Sequence, residues 1–179
     1  MSSNEDATDR DVTDNNYNDT SNDNNKGDDD GGDDDENYAP STVLIMLGPL
    51  HFDHSGTADV LSVKITNPEE RADSLEKAAT MIQPETIENL HVILLSASIS
   101  SLYDDSILTT FYDSLKPGGE VTVHVLPPSP DIEVQPGDVD SIRVSKVMAG
   151  YRLVSEQAQD GGWIMLSNKP GGDDEEDDE

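Results

Sequence analysis

The residues best suited to bind a metal follow the first apolar run of the sequence. His51, Asp53 and His54 stand within four positions of one another, directly after the run 43–47 and the pair Gly48-Pro49. Two imidazoles and a carboxylate at this spacing could hold zinc or iron and activate a water molecule. The two other histidines, His91 and His124, lie within apolar runs that predict buried strands.

The segment 50–56 (LHFDHSG) resembles the second half of the H-x-H-x-D-H-x-G signature of metallo-β-lactamase-type hydrolases. Pro49 stands where that signature has its leading histidine, and the chain is short for the two-sheet fold of those enzymes. We therefore predict that His51, Asp53 and His54 lie in a surface loop, with no metal ligand and no catalytic residue among them. A metal-dependent hydrolase stays as the weakest alternative.

A second motif, Leu115-Lys116-Pro117-Gly118-Gly119, stands between a predicted helix and a predicted strand. It resembles the element before the fifth strand of class I methyltransferases, which use S-adenosylmethionine. That resemblance implies a glycine-rich turn after the first strand and an acidic residue after the second, both at the carboxyl ends of the strands. Here those places hold Gly48-Pro49-Leu50-His51 and Thr66-Asn67. We therefore expect the fold without cofactor-binding residues, and an active methyltransferase remains the main alternative.

Strands and helices alternate along the part of the chain that would position these residues. Apolar and β-branched runs predict strands over 42–47, 59–66, 91–97 and 120–126. Asn67 and Pro68 predict a helix start, followed by an apolar stripe that comprises Ala72, Leu75, Ala79 and Ile82. The spacing of Ser101 and Asp104 predicts a capping box, and one helical face then holds Tyr103, Ile107, Leu108, Phe111 and Leu115.

The end of the sequence predicts an antiparallel hairpin. Segments 151–156 and 163–167 have strand character and flank Asp160-Gly161-Gly162, a turn signal. The segment 139–149 fits either a helix or a strand. Together these elements predict an α/β fold: a three-layer sandwich with a mostly parallel sheet, closed by a C-terminal antiparallel hairpin.

Charge divides the chain into three parts. Residues 1–37 hold 14 acids and 2 bases with few large apolar side chains, which predicts a disordered acidic tail. Residues 38–170 form the predicted domain, and 171–179 hold seven acids and read as a second tail or the start of a linker. The net charge of −29 argues against nucleic-acid and membrane partners. The absence of cysteine excludes disulfides, thiolate nucleophiles and Cys-ligated metal centres. We expect a soluble cytoplasmic monomer.

The domain resembles the N-terminal, degenerate methyltransferase-like domain of the anamorsin family, which are cytosolic iron–sulfur cluster assembly proteins. The matching stretches are 43–46, 111–119, 149–154 and 162–166. This resemblance implies a catalytically silent domain that binds protein partners, among them the diflavin reductase that supplies electrons to the pathway. Family members carry their clusters in a cysteine-rich module. No residue here matches a cluster ligand, so the resemblance implies no cofactor in this chain and either a fragment or a stand-alone relative.

Three further residues could be mistaken for functional ones. Trp163, in a hairpin strand, is expected to pack in the core. Asp104 and Asp105 form a carboxylate pair, but the start of a helix accounts for both. We therefore assign no catalytic, cofactor-binding or metal-binding residue from the sequence.

Overall fold

The structure is a computed structural model that describes residues 39–51 and 59–171. It contains one six-stranded sheet. Its strands are β1 Thr42–Leu47, β2 Val60–Ile65, β3 Ile87–Leu95, β4 Leu115–Leu126, β5 Arg152–Gln159 and β6 Gly162–Asn168. The spatial order is β2-β1-β3-β4-β6-β5. The first four strands are parallel, and β6 is antiparallel to both of its neighbours, β4 and β5. The predicted α/β class, the mostly parallel sheet and the C-terminal hairpin are confirmed.

One face of this sheet carries the core. Ile45, Val92, Val123 and Met165 are register partners across four adjacent strands, and none of them is accessible to solvent. The helices are α1 Arg71–Thr80, α2 Ile99–Leu102, α3 Ser106–Thr109 and α4 Asp140–Met148. Their buried side chains join the same cluster, so all four pack on this face. The connection between β1 and β2 lies largely in residues 52–58, outside the described residues.

Helix α1 begins where the sequence predicts. Asn67 Oδ1 accepts a hydrogen bond from Glu69 N at 3.1 Å, and the 3₁₀ turn Pro68–Glu70 leads into the helix. The apolar stripe differs from the prediction, because Ala78 is buried and Ala72 is exposed. None of the helices in the described residues has the length and apolar content needed to cross a membrane.

The single helix predicted from Ser101 to Leu115 is wrong. Two short helices, α2 and α3, replace it, and Tyr103 between them is extended. Asp104 does not complete a capping box: its carboxylate accepts from Ser106 N at 2.9 Å, which starts a new turn. The five residues of the predicted helical face are buried nevertheless, because hydrophobic burial persists where the helix itself is interrupted.

Strand β4 is longer than predicted and contains the whole L-K-P-G-G motif. The register of β3 and β4 shifts between Ile87 and Asn89, where the motif bulges from the ladder. A Cβ on Gly119 would lie 2.8 Å from Leu115 Cδ2 and 2.9 Å from the Lys116 carbonyl oxygen. Glycine is therefore required there by close packing inside a strand, and the predicted connector between helix and strand is wrong.

The ambiguous segment 139–149 forms helix α4. Gly150 ends it with φ of +92°, and a Cβ there would meet the Tyr112 ring at 3.3 to 3.4 Å. The hairpin turn has positive φ at both Asp160 and Gly161, as a type I′ turn requires.

Lys146 joins α4 to the sheet from inside the core. Only 1% of this residue is accessible, and its Nζ donates to the Met165 carbonyl at 2.8 Å and the Val121 carbonyl at 3.3 Å. These carbonyls belong to the neighbouring strands β6 and β4. Burial lowers the pKa of Lys146 to about 7, since the charged amine is poorly solvated there.

The Lys146 pKa predicts a pH dependence of stability. Between about pH 7 and the ordinary lysine value of 10.5, the unfolded chain binds more protons than the folded chain. The free energy of unfolding contributed by this group therefore rises with pH across that window and is flat below it. Urea unfolding from pH 6 to 10 should show a steeper rise for wild type than for Lys146→Met. The matched control Lys77→Met, at an exposed lysine of α1, should keep the wild-type slope; equal slopes in all three proteins would contradict the assignment.

Candidate functional site

The carboxyl ends of β1 to β4 lie along one edge of the sheet, where doubly wound folds bind their ligands. The turn after β1 begins at Gly48, whose N–H donates to the Ile65 carbonyl at 2.8 Å. Gly48 has φ of +104°, and a Cβ there would lie 3.3 Å from Ser98 Oγ and 3.8 Å from Leu102 Cδ1. This turn therefore packs against the chain's own segment after β3.

The turn after β2 makes hydrogen bonds to the residues that follow it. Thr66 and Asn67 follow the strand, and the Asn67 side chain caps the next turn. A ribose-binding carboxylate is not present at either position.

The residues described at these two turns do not fit S-adenosylmethionine. The space over Gly48 is occupied by Ser98 and Leu102. The side-chain oxygen of Asn67 already accepts a hydrogen bond from the backbone N–H of Glu69. A methyltransferase would need backbone open to the methionine end and a carboxylate for the ribose.

The three residues that were considered as metal ligands and predicted to lie in a surface loop can be placed only in part. His51 is exposed, whereas Asp53 and His54 lie outside the described residues. His91 and His124 stand on adjacent strands with ring centroids 6.1 Å apart. Both are half-buried rather than buried, and burial lowers the pKa of each. Residues 39–51 and 59–171 contain no group of three or more His, Asp or Glu side chains arranged to hold a metal ion.

Asp104 and Trp163 both make contacts within the fold. The Asp104 carboxylate pairs with Arg71, so it ties α1 to the segment between α2 and α3. Trp163 packs against the core as predicted, and its Nε1 is buried with no hydrogen-bond partner. It lines a cavity of about 190 Å³ at the end of β4, together with His124, Pro127 and Asp160.

Five of the eight large apolar side chains that are exposed within residues 39–51 and 59–171 lie on α4 and β5, and the sequence did not predict their exposure. Val144, Val147 and Met148 are 60%, 61% and 77% exposed, and their i, i+3, i+4 spacing places them on one side of the helix. Val154 of β5 is 55% exposed and Leu153 38%. We call Val144, Val147, Met148, Leu153 and Val154 the α4–β5 surface. The sequence indicates this surface in one way: the segment 139–149 contains more apolar residues than a single buried stripe of a helix needs.

An ion pair fixes the two elements of this surface. Arg143 Nε lies 2.9 Å from Glu156 Oε2, and Arg143 Nη2 donates to Glu156 Oε1 at 3.0 Å. Strand β5 lies at one edge of the sheet, and all eight of its residues are exposed.

Comparison with known proteins gives a distant likeness in structure only. No protein-family model matches the chain, and no curated protein matches it. The antibiotic-resistance methyltransferase Kmr is 15% identical with a TM-score of 0.41, covering 75% of this chain and 90% of its own. A putative methyltransferase from Bacillus halodurans is 12% identical with a TM-score of 0.44, covering 74% and 93%. A SAM-dependent methyltransferase from Aquifex aeolicus is 11% identical with a TM-score of 0.41, covering 74% and 86%.

The packing over Gly48 predicts that this turn cannot accept a side chain. Gly48→Ala should lower the free energy of unfolding by more than the roughly 1–2 kcal/mol that left-handed backbone costs an L-residue, because the new Cβ also crowds Ser98. Gly118→Ala is the matched control: its φ is +78°, and nothing lies within 4 Å of the added Cβ. Urea unfolding measures both. Equal losses in the two variants would mean that Ser98 and Leu102 leave room over Gly48.

Proposed function

We propose that this chain is a non-catalytic protein-interaction domain of a cytosolic iron–sulfur cluster assembly factor. The observation that carries the proposal is the α4–β5 surface. Three large apolar side chains on one side of a helix face solvent in a protein with a net charge of −29. Contiguous exposed apolar groups with polar surroundings are typical of protein-binding sites.

The core does not require these side chains. Helix α4 already buries Ile142, Ser145 and Lys146 against the sheet, and Val139 before it is fully buried. Val144, Val147 and Met148 lie on the opposite side of the helix, so their exposure is not a failure of the helix to find its core. A partner that covers them gains the free energy of apolar burial, about 25 cal/mol per Å².

The turns after β1 and β2 make contacts within the chain itself, which supports a non-catalytic role. The mostly parallel sheet with its aligned carboxyl ends favours one other candidate, an S-adenosylmethionine-dependent methyltransferase. Against that candidate, Ser98 and Leu102 stand over Gly48, and Asn67 is a helix cap. A fold supports many functions, and the residues at the site decide between them.

The iron–sulfur assembly context rests on the sequence resemblance to the anamorsin family over 43–46, 111–119, 149–154 and 162–166. In this proposal the domain is a scaffold in the cytoplasm, and its partner is the diflavin reductase of the pathway. The clusters belong to a cysteine-rich region, which this sequence does not contain.

The proposal predicts that removing one exposed methionine of the α4–β5 surface weakens partner binding. Met148→Ser should reduce affinity for the purified diflavin reductase by about fivefold to tenfold, the usual effect of losing an apolar contact at an interface. Isothermal titration calorimetry measures the change.

Met81→Ser is the matched control for this experiment. Met81 also stands at the C-terminal end of a helix and is 55% exposed. It directly follows α1, which packs beside β2 at the other edge of the sheet. It should bind like wild type. Equal affinity of wild type and both variants, or no binding of the reductase at all, would contradict the proposal.

A further inference from the structure

The α4–β5 surface has carboxylates concentrated toward one end. Residues 128–162 hold six acids, which are Asp131, Glu133, Asp138, Asp140, Glu156 and Asp160, against Arg143, Lys146 and Arg152. Lys146 is buried, and Arg143 is engaged by Asp140 and Glu156. Because Lys146 is buried, the six exposed acids face only Arg143 and Arg152, and the exposed charge of this region is negative.

The positions of these acids follow from contacts between elements. Val134 N donates to the Gly161 carbonyl at 2.8 Å, which places the loop before α4 beside the β5–β6 turn. Glu133 and Asp160 line the same cavity of about 150 Å³ there. Arg143 joins the first half of α4 to the middle of β5 through Glu156. The carboxylates thus lie near the start of α4 and the end of β5.

The apolar residues lie toward the other end. Met148 is the last residue of α4, and β5 begins at Arg152. The short link between them folds back, since Tyr151 N donates to the Lys146 carbonyl at 3.0 Å. The surface therefore presents an apolar stripe that continues into an acidic end over a helix about 13 Å long.

We propose that the α4–β5 surface binds a basic amphipathic helix of a protein partner. This inference rests on the proposed interaction function and names the chemistry of its partner. The apolar side of the partner helix packs on Val144, Val147 and Met148, since side-chain ridges on one helix fit grooves on another. Its Lys and Arg side chains lie over the acidic end, where they add attraction and set orientation.

A second copy of this chain is a poor occupant. Each copy carries a net charge of −29, and the acidic ends of two such surfaces would repel each other in a symmetric pair. Addition of an extended segment to the edge strand β5 is the other way in which a protein could bind here. The experiment below separates that mode from helix binding.

Three synthetic peptides of 18 residues and the full-length chain provide the test. The first has leucines at helical spacing among lysines. The second has the same composition with leucine and lysine alternating, as a strand would have. The third is the first with every lysine replaced by glutamate. Fluorescence anisotropy measures each affinity for wild type and for variants of the chain.

Two pairs of variants separate the surface from the general attraction of lysines to acidic segments. Val144→Ser/Val147→Ser removes the apolar stripe without changing charge. Asp131→Asn/Glu133→Gln removes two acids beside the surface, and Asp73→Asn/Glu76→Gln removes two exposed acids from α1 as the matched control. Circular dichroism checks that every variant keeps the wild-type fold.

The helical lysine peptide should bind most tightly. The serine variant should weaken it about tenfold and the Asp131/Glu133 variant about threefold at low salt, whereas the Asp73/Glu76 control should bind like wild type. Two results together would overturn the inference: the helical and alternating peptides bind equally well, and the serine variant binds both as tightly as wild type does. They would mean that lysines are attracted to acidic residues in general. Tighter binding of the alternating peptide would indicate strand addition at β5. Binding of the glutamate peptide as tight as the lysine peptide, lost in the serine variant, would overturn the basic partner while the proposed interaction function stands.

Discussion

The contact of Lys146 with the sheet determines which side of α4 faces solvent. Its amine is buried between β4 and β6, where two strand carbonyls accept its hydrogen bonds. Ile142 and Ser145 are buried with it. At 100° per residue these three positions share one side of the helix, so Val144, Val147 and Met148 lie on the other side. The exposure of apolar residues thus follows from the burial of a lysine. A lysine with only carbonyl partners is a costly core residue, and its hydrogen bonds to two strands fix the orientation of the helix.

The chain also packs against itself at the carboxyl ends of the parallel strands. The segment after β3 turns directly into the 3₁₀ turn Ser96–Ser98 and the short helix α2. These elements bring Ser98 and Leu102 over Gly48, at the end of the parallel strands where doubly wound folds bind their ligands. A mostly parallel sheet and a packed first turn are compatible, because the sheet depends on its core face and the turn depends on local contacts. The exposed apolar side chains of the α4–β5 surface lie elsewhere, on α4 and on the edge strand β5.

Strongly local signals in the sequence predicted the fold well. The run 42–47 forms a strand with the predicted bounds, and the Asp160-Gly161 turn forms the predicted hairpin. The helix expected after Ser101 failed because Asp104 caps a new turn at Ser106, a competition that an apolar periodicity does not reveal. The proximity of the His91 and His124 rings follows from the β3–β4 register, in which His91 lies opposite Thr122, and the sequence does not supply that register. The α4–β5 surface was the hardest to predict. In the sequence, Val144, Val147 and Met148 resemble a buried stripe and Lys146 resembles a surface residue. The packing of α4 on β4 and β6 shows the opposite: the lysine is buried and the three apolar residues are exposed.

The most direct test of the central claim is a methyl NMR titration of the full-length chain, labelled at Val, Leu and Met. The chain is titrated first with S-adenosylmethionine and then with the diflavin reductase. The account predicts that the cofactor leaves the methyl signals of Leu47 and Leu102 in place. It predicts that the reductase shifts or broadens those of Val144, Val147 and Met148 in a saturable manner. Saturable shifts of Leu47 and Leu102 with S-adenosylmethionine, together with unchanged α4 signals in the presence of the reductase, would contradict it.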